Sequence, residues 1–293
     1  MKIMIVGNKG QLGSDSEKVL AENYEIFAVD LPELDMTNLA AVETMVRDFV
    51  PDVILNCAAY TQVDRCEIEK QLAWDVNVKG PENLAVCARK YGGQLIHVST
   101  DYVFDGMKKI PQPYMENDET HPLSYYGVTK LESEAVVQRA IDRHMILRTA
   151  WMYGIGGQNF LKTMLKLAVN NPGIEVKVVN DQYGSPTWSY RLALQILKLI
   201  ENNGRRTYHA TAEGHCTWYE LAVYFLEKMD VPHRLVPCGS QEYPTPAVRP
   251  KNSILENRHL KEENLNVMKF WQQDIDEFVA GFKEQLLDEA MSE

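Results

Sequence analysis

The sequence predicts an α/β fold, in which a doubly wound parallel sheet carries a smaller C-terminal lobe. Short apolar runs alternate with longer segments of helical period along the first 150 residues, the pattern of strands and helices in turn. The apolar runs lack polar alternation, as expected of strands that are buried on both faces of a parallel sheet. Pro51 and the Gly92, Gly93 pair stand where two of the helices should end.

The predicted elements divide the chain unevenly. Strands are predicted at residues 3–6, 26–29, 53–55, 95–98 and 145–147, and helices at 11–21, 39–48, 73–90 and 125–140. Beyond these, the pattern predicts a helix at 160–169, a strand at 175–179, a helix at 190–200, a short strand at 207–209 and a final acidic helical stretch. We therefore expect a sheet domain over 1–155 and a lobe over 156–293, with part of 175–212 returning to the first domain.

Composition excludes several classes of protein. The formal net charge of -11 over 293 residues opposes binding to the phosphate backbone of nucleic acids, which requires clustered cations. The opening MKIMIVGNKG holds too short an apolar run for a secretion signal, and no stretch reaches the roughly 18 apolar residues of a membrane span. Five cysteines without metal spacing indicate reduced thiols, so a cytoplasmic protein is expected.

A glycine-rich turn predicts a dinucleotide site. Gly7, Gly10 and Gly13 lie between the first strand and the first helix, where glycine allows backbone N–H groups to approach a pyrophosphate. Asp30 follows the second strand at the distance expected of an acid that binds a ribose 2'-hydroxyl. Asp30 favours NAD because it repels a 2'-phosphate, but NADP stays open because Lys9 brings a positive charge into the turn.

Tyr126 and Lys130 form a candidate acid pair. Their spacing in SYYGVTKLESEA places both on one helical face. A lysine cation near a phenol lowers its pKa from about 10 and prepares it for proton transfer. The alternative is a pair of long side chains on a solvated helix face.

The order of these motifs resembles the extended short-chain dehydrogenase/reductase family. The resemblance rests on GxxGxxG after the first strand, NCAAY after the third, IHVSTDYVFDG at the end of the fourth, and YxxxK on the next helix. It implies a Rossmann-like domain in which Tyr126 donates a proton, Lys130 binds the nicotinamide ribose, and Thr100 hydrogen-bonds the reacting oxygen. Asn77 matches a structural and proton-relay asparagine of that family, with a helix-kinking polar residue as the alternative.

The same resemblance implies a cofactor site for NADPH or NADH. Its expected residues are Gly7, Gly10, Gln11, Leu12, Gly13, Asp30, Asp35, Met36, Ala58, Ala59, Tyr60, Val98, Tyr126 and Lys130.

Four further strings resemble the dTDP-4-dehydrorhamnose reductase family. They are STDYVFDG, RTAWMYG, NDQYGSPT and RPKNSIL, and this similarity spans nearly the whole chain. It implies NAD(P)H-dependent reduction of the C4 ketone of dTDP-4-dehydro-6-deoxy-L-mannose to dTDP-L-rhamnose. The substrate-binding residues that it implies are Thr100, Asp101, Trp151, Asn159, Gln182 and Arg249.

Two other functions remain as alternatives. A dehydratase or epimerase on another nucleotide sugar is one, although dehydratases of the family carry a glutamate where Tyr102 stands, and 4-epimerases end the serine-rich run in VYG rather than VFDG. A non-catalytic regulatory subunit resembling methionine adenosyltransferase beta is the other.

Some relatives are metal-bridged dimers through acids that begin in the first helix, where Asp15 lies. We predict no metal site from this resemblance, and a homodimer stays an alternative to a monomer. The sequence does not say whether the loop at 107–122 closes over a substrate.

Overall fold

The computed structural model describes residues 1–292, and a parallel sheet of six strands is its centre. Its strand order is β10-β5-β4-β3-β1-β2, with all five pairings parallel. The strands of the described chain are β1 (Lys2–Val6), β2 (Glu25–Val29), β3 (Val53–Asn56), β4 (Gln94–Thr100), β5 (His144–Thr149), β6 (Met152–Tyr153), β7 (Val176–Val179), β8 (Tyr183–Gly184), β9 (Thr187–Trp188), β10 (Thr207–His209), β11 (Cys216–Thr217), β12 (Leu235–Cys238) and β13 (Asn252–Ser253).

Helices connect these strands and cover both faces of the sheet. They are α1 (Gln11–Ala21), α2 (Leu39–Phe49), α3 (Val63–Cys66), α4 (Lys70–Trp74), α5 (Gly80–Lys90), α6 (Tyr125–Ala140), α7 (Phe160–Asn170), α8 (Ser189–Glu201), α9 (Trp218–Lys228), α10 (Arg258–Glu262) and α11 (Trp271–Met291). A π-helical turn spans Asp75–Lys79, and 3-10 turns span Asp101–Val103 and Ser240–Glu242. No helix within residues 1–292 has the length and apolar character needed to cross a membrane.

Alternate residues of each strand enter different cores. Ile3 and Ile5 of β1 pack with α1 and α8 on one face, and Met4 and Val6 pack with α2, α5 and α6 on the other. This two-sided burial explains why the strand sequences are continuously apolar. The predicted doubly wound parallel sheet is confirmed.

The strand order changes direction between β1 and β3. β1 pairs with β2 on one side and with β3 on the other, so the connections on the two sides run in opposite directions. In open sheets of this type a crevice forms at that point, beyond the carboxyl ends of the strands. The glycine turn follows β1 and the NCAAY segment includes the end of β3, so both motifs meet there.

The C-terminal part builds a lobe of short sheets and helices. A three-stranded sheet has the order β11-β8-β13, and two-stranded pairs join β12 to β7 and β6 to β9. Helices α7, α9 and α11 share a separate apolar core. Strand β10 lies at the edge of the main sheet beside β5, whereas the division of the chain at residue 155 stays a prediction.

Most predicted elements match the structure within a few residues, with two main differences. The helix predicted at 73–90 is α4, the π-helical turn and α5 in succession, because the buried Asn77 side chain makes long-range hydrogen bonds that hold a widened turn. Helix α9 was not predicted, although Thr217 and Glu220 form the capping box that marks its start.

A buried ion pair joins helix α6 to the sheet. Arg148 of β5 donates from Nε and Nη2 to the two carboxylate oxygens of Glu134, at 2.9 and 2.7 Å. Ser99 of β4 donates to the same carboxylate at 2.5 Å. The Arg148 and Glu134 side chains are 7% and 3% exposed, so neither can exchange its partner for water.

We expect Arg148→Ala to lower the free energy of unfolding by about 3–5 kcal/mol, because it leaves the Glu134 carboxylate buried without a counter-charge. Arg139→Ala is the matched control, since Arg139 pairs with Glu132 on the exposed side of the same helix, and we expect it to cost no more than about 1 kcal/mol. Urea denaturation followed by circular dichroism measures both changes. Equal costs for the two variants would contradict the assignment.

Candidate active site

A cavity of about 380 Å³ opens where the strand order reverses. Ten of the predicted cofactor residues line it: Gly7, Gly10, Gln11, Leu12, Asp30, Asp35, Met36, Ala58, Ala59 and Val98. They come from the glycine turn, the ends of β2, β3 and β4, and the loop before α2. The structure therefore brings most of the predicted cofactor site to one crevice.

The glycine turn is closely packed against its surroundings. Gly7 has a φ of +88°, and a Cβ there would lie 2.7 Å from the Ala58 nitrogen. A Cβ on Gly13 would lie 2.1 Å from the Gly7 oxygen, so α1 starts directly against the turn. The first N–H groups of α1 lack helical acceptors and lie beside the cavity. This cradle fits a diphosphate group.

The acidic rim of the cavity is well ordered by hydrogen bonds. The Asp30 carboxylate accepts the backbone N–H of Lys9 at 3.0 Å and that of Leu31 at 2.7 Å. Each of its oxygens keeps a free lone pair, so a ribose hydroxyl can still donate to it. The Lys9 ammonium bonds to Leu31 O at 2.7 Å and to Glu33 at 3.0 Å.

Four predicted cofactor residues do not line this cavity: Gly13, Tyr60, Tyr126 and Lys130. Gly13 packs closely against the Gly7 oxygen of the turn, and the Tyr60 hydroxyl donates to the Glu69 carboxylate. Sequence reasoning missed several lining residues, among them Thr61, Val76, Met152, Gly157 and Gln158. The glycine run GIGGQ was the available signal for the last two, because glycines mark close backbone approaches.

Tyr126 and Thr100 meet at the carboxyl end of β4. Tyr126 lies in the first turn of α6, and the Thr100 side chain is close enough to its phenol to influence the phenol pKa. Thr100 also donates to Asp101 Oδ1 at 2.9 Å, and the Tyr102 ring packs edge-on against the Tyr126 ring with centroids 5.6 Å apart. A phenol, a hydroxyl and a carboxylate thus share one buried corner.

The prediction that Lys130 lowers the pKa of Tyr126 is wrong for this structure. Burial raises the pKa of the Tyr126 phenol above its ordinary value and the Asp101 charge raises it further, while the Thr100 hydrogen bond opposes both. Lys130 instead directs its ammonium to Val98 O, at 2.7 Å. Tyr126 consequently keeps its proton at neutral pH.

Lys130 lies in a buried polar pocket that includes His97, which sequence reasoning missed. Burial lowers the pKa of the Lys130 ammonium to about 8. His97 Nδ1 lies 3.1 Å from Asn56 Nδ2, and Nε2 lies 2.8 Å from Ser133 Oγ. The Asn56 Oδ1 accepts the Ala58 N–H, so Nδ2 is the amide atom that donates to the His97 imidazole.

These contacts assign the proton of His97 to Nε2. Ser133 donates its own proton to Lys130 O at 2.5 Å, so its oxygen accepts from His97. Burial lowers the pKa of His97 well below its ordinary value, and the Lys130 charge lowers it further. A neutral imidazole therefore joins the strand ends to α6. A polar residue inside the apolar run LIHV was its sequence signal.

Asn77 connects the NCAAY segment to α6. Its Oδ1 accepts the Tyr60 N–H at 2.7 Å, and its Nδ2 donates to Tyr60 O at 3.1 Å and to Thr129 Oγ1 at 3.0 Å. Thr129 donates in turn to Tyr126 O. Asn77 also lies within the π-helical turn, so it has the structural role and the helix-widening role together. Proton relay through it stays a prediction.

Asp101 is the predicted substrate residue with the clearest unmet bonding capacity. Its Oδ2 is buried without a hydrogen-bond partner, and burial raises the pKa of the carboxyl to about 6 against the opposing effect of the Ser253 and Thr100 hydroxyls. A buried acceptor of this kind costs free energy unless a ligand supplies a donor. Its position beside Thr100 places that donor next to the Tyr126 phenol.

The other predicted substrate residues are distributed around this corner. Trp151 stacks on Trp218 with ring centroids 3.6 Å apart, and Gln182 is buried immediately before β8. Arg249 binds both carboxylate oxygens of Asp64, at 3.1 and 2.8 Å. The Arg249 side chain is about one-quarter exposed, so it is partly accessible to an anionic ligand. The substrate roles of all three stay predictions.

The Asn159 side chain caps a helix and makes hydrogen bonds to Gln11 and Gly154. Its Oδ1 caps α7 by accepting the Lys162 N–H, and its Nδ2 donates to Gln11 Oε1 at 3.0 Å and to Gly154 O at 2.9 Å. The side chain is therefore directed to the glycine turn, on the cofactor side of the crevice. Its role toward a substrate stays a prediction.

The loop at 107–122 is tied to the body of the protein. Tyr114 exchanges backbone hydrogen bonds with Ile254 and Glu256, and Asn252 donates to Lys108 O and Gln112 O. These bonds belong to the framework that shapes the site, and they hold the loop in place.

Within residues 1–292, no group of three or more histidine, cysteine or acidic side chains is arranged to hold a metal ion. Asp15 accepts a hydrogen bond from Ser189 at 2.5 Å, which connects α1 to α8.

The comparison with protein families matches residues 1–284 to the family described as RmlD substrate binding domain. The chain belongs to this family. A dTDP-4-dehydrorhamnose reductase of Aggregatibacter actinomycetemcomitans is 40% identical over 87% of this chain and 90% of that protein. The spore coat polysaccharide biosynthesis protein SpsK of Bacillus subtilis is 34% identical over 95% of this chain and 96% of its own length.

Solved structures agree with this membership. A dTDP-4-dehydrorhamnose reductase from Clostridium acetobutylicum has a TM-score of 0.93 at 41% identity and covers 97% of this chain and 100% of that one. The Bacillus anthracis reductase in complex with NADP has a TM-score of 0.92 at 36% identity, covering 96% and 99%. The Thermus thermophilus UDP-glucose 4-epimerase complex with NAD, at 19% identity and a TM-score of 0.83 over 97% and 99%, shares the fold.

We expect Gly13→Ala to weaken NADH binding by about tenfold or more, because its Cβ must displace the Gly7 oxygen and with it the N–H groups of the turn. Gly281→Ala is the control, since an added Cβ there meets no atom within 4 Å. Isothermal titration calorimetry with NADH measures both dissociation constants. An unchanged constant for Gly13→Ala would show that the turn does not hold the diphosphate.

Proposed function

We propose that the protein reduces the C4 ketone of dTDP-4-dehydro-6-deoxy-L-mannose to dTDP-L-rhamnose with NADPH or NADH. One observation carries this proposal: the Tyr126 phenol lies with the Thr100 hydroxyl and the Asp101 carboxylate, whose Oδ2 has no hydrogen-bond partner, at the carboxyl end of β4. Val98, two residues earlier in that strand, lines the cofactor cavity. A proton donor and a hydride source would therefore face the same carbonyl group.

The chain offers a complete set of contacts for the cofactor. The glycine turn and the start of α1 would hold the diphosphate, Asp30 would accept from a ribose hydroxyl, and Lys130 would contact the nicotinamide ribose. A bound nicotinamide cofactor supplies the hydride. Met36, Ala58 and Val98 give the crevice apolar walls, which exclude water from the reacting groups.

Tyr126 would protonate the alkoxide that develops on the substrate. Burial keeps its phenol protonated at neutral pH, and an alkoxide is a much stronger base than a phenolate, so the transfer is favourable. Thr100 would hold the carbonyl oxygen at hydrogen-bond distance from Tyr126. Positioning and stabilisation of the developing charge are the main contributions expected from these groups.

The nucleotide sugar would lie over the same corner. Asp101 would accept a sugar hydroxyl, which satisfies its orphaned oxygen, and Arg249 would pair with the diphosphate, for which a guanidinium is well suited. Trp151 and Gln182 would complete the wall from the C-terminal lobe. Asn159 would contribute through its hydrogen bond to Gln11, beside the glycine turn. We also propose a cytoplasmic location, consistent with five free cysteines, and a homodimer stays a prediction.

The deciding experiment supplies dTDP-4-dehydro-6-deoxy-L-mannose with NADH and NADPH separately and identifies the product by NMR. We expect dTDP-L-rhamnose with one equivalent of cofactor oxidised, seen as absorbance loss at 340 nm. An epimerase or dehydratase would recycle its cofactor without net loss. Absence of turnover, with co-purification of a methionine adenosyltransferase, would favour the regulatory alternative instead.

We expect Tyr126→Phe to lower kcat by roughly 100-fold or more with little change in NADH affinity, because it removes the proton donor and keeps the ring. Tyr125→Phe is the matched control, since this neighbouring ring loses the same hydroxyl group and contacts the Lys70 ammonium. Steady-state kinetics and calorimetry measure the two quantities. Full activity of the Tyr126 variant would refute its role.

We expect kcat/KM to fall as the pH rises through about 8. Burial lowers the pKa of Lys130 to that value, so the ammonium that would hold the ribose is charged below pH 8 and neutral above it. Rates measured from pH 6.5 to 10 at saturating sugar and limiting NADH give the profile. A profile that stays flat up to pH 10 would contradict a role for the charged form of Lys130.

A further inference from the structure

The charged side chains that line the cofactor cavity are all acidic. Among its lining residues in the described part of the chain, the ionisable side chains with a charge at neutral pH are those of Asp30 and Asp35. Asp35 is occupied by Thr37, which donates its N–H and its hydroxyl to Oδ1 at 2.9 and 2.7 Å. A 2'-phosphate at this rim would meet two carboxylates without a lining cation.

Lys9 is a cation of the glycine turn itself. Its backbone N–H donates to the Asp30 carboxylate, so its side chain would start beside a ribose hydroxyl bound to Asp30. Its ammonium, however, is held by Glu33 and by Leu31 O on the outer side of the turn. The Glu33 carboxylate thus neutralises the Lys9 ammonium, which would otherwise offset the negative charge of Asp30.

We propose that the cavity prefers NADH to NADPH and that Glu33 is a specificity-determining residue, acting by holding Lys9 away from the 2'-position. This inference rests on the proposed function for the identity of the cofactor. Asp30 alone would only repel the phosphate, a general property of acids at this position. The ion pair adds a second element, because it removes the nearest compensating charge.

The affinity difference follows from the electrostatics of the rim. A 2'-phosphate brings about two negative charges close to Asp30, and like charges at a binding surface are strongly disfavoured. The rim is partly open to solvent, which weakens the repulsion. We therefore expect NADH to bind about tenfold more tightly than NADPH.

Calorimetry without any sugar tests the proposal directly. We expect Glu33→Ala to strengthen NADPH binding by about 5- to 10-fold while NADH binding changes by less than about twofold, because the freed Lys9 can pair with the phosphate. The double variant Lys9→Met with Glu33→Ala should lose that gain. Glu43→Ala is the control, because it breaks another exposed lysine pair, with Lys90, and changes the net charge equally.

Three results would overturn the proposal: wild-type protein that binds NADPH as tightly as NADH, a gain in Glu33→Ala no larger than in Glu43→Ala, or a gain that survives Lys9→Met. These outcomes are separate from those of the proposed function. A protein that binds NADH selectively but does not reduce the sugar would refute the reaction and leave the specificity inference intact. Equal reduction of the sugar with NADH and NADPH would support the reaction and contradict the specificity inference.

Discussion

The buried pairing of Glu134 with Arg148 and Ser99 is the interaction on which the site depends. It joins the middle of α6 to the carboxyl ends of β4 and β5. The first turns of the same helix carry Tyr126 and Lys130, so their positions follow from where this pairing holds the helix. Because the three groups satisfy one another out of water, the helix cannot shift along the sheet without leaving a buried charge unpaired.

A second set of polar contacts holds the cofactor side in register with the catalytic corner. Asn77 connects the NCAAY segment to α6, and His97 connects Asn56 to Ser133 beneath Lys130. The glycine turn packs on Ala58 of the same segment. The two halves of the crevice therefore share a base of buried hydrogen bonds, which suits a reaction that depends on ångström-scale alignment of two reactants.

The sequence was most informative where the physics is local or repetitive. Helix α1 and the central strands follow from apolar periodicity, and the glycine turn from the close approach that only glycine permits. Long-range contacts were not readable: the widened turn at Asn77 depends on partners in two other segments. The expected pKa effect of Lys130 failed because burial outweighs the helical spacing. The hydrogen bonds of Asn159 to Lys162 and Gln11 were also not readable, and its role toward a substrate stays a prediction.

The most direct test of this account follows the hydride itself. NADH carrying deuterium on the transferred face of C4 is incubated with dTDP-4-dehydro-6-deoxy-L-mannose, and the product is examined by NMR. We expect one deuterium at C4 of the sugar for each NADH oxidised, because the proposed reaction brings the cofactor and the carbonyl together at the end of β4. A product without deuterium at C4, or one formed without net oxidation of NADH, would contradict it.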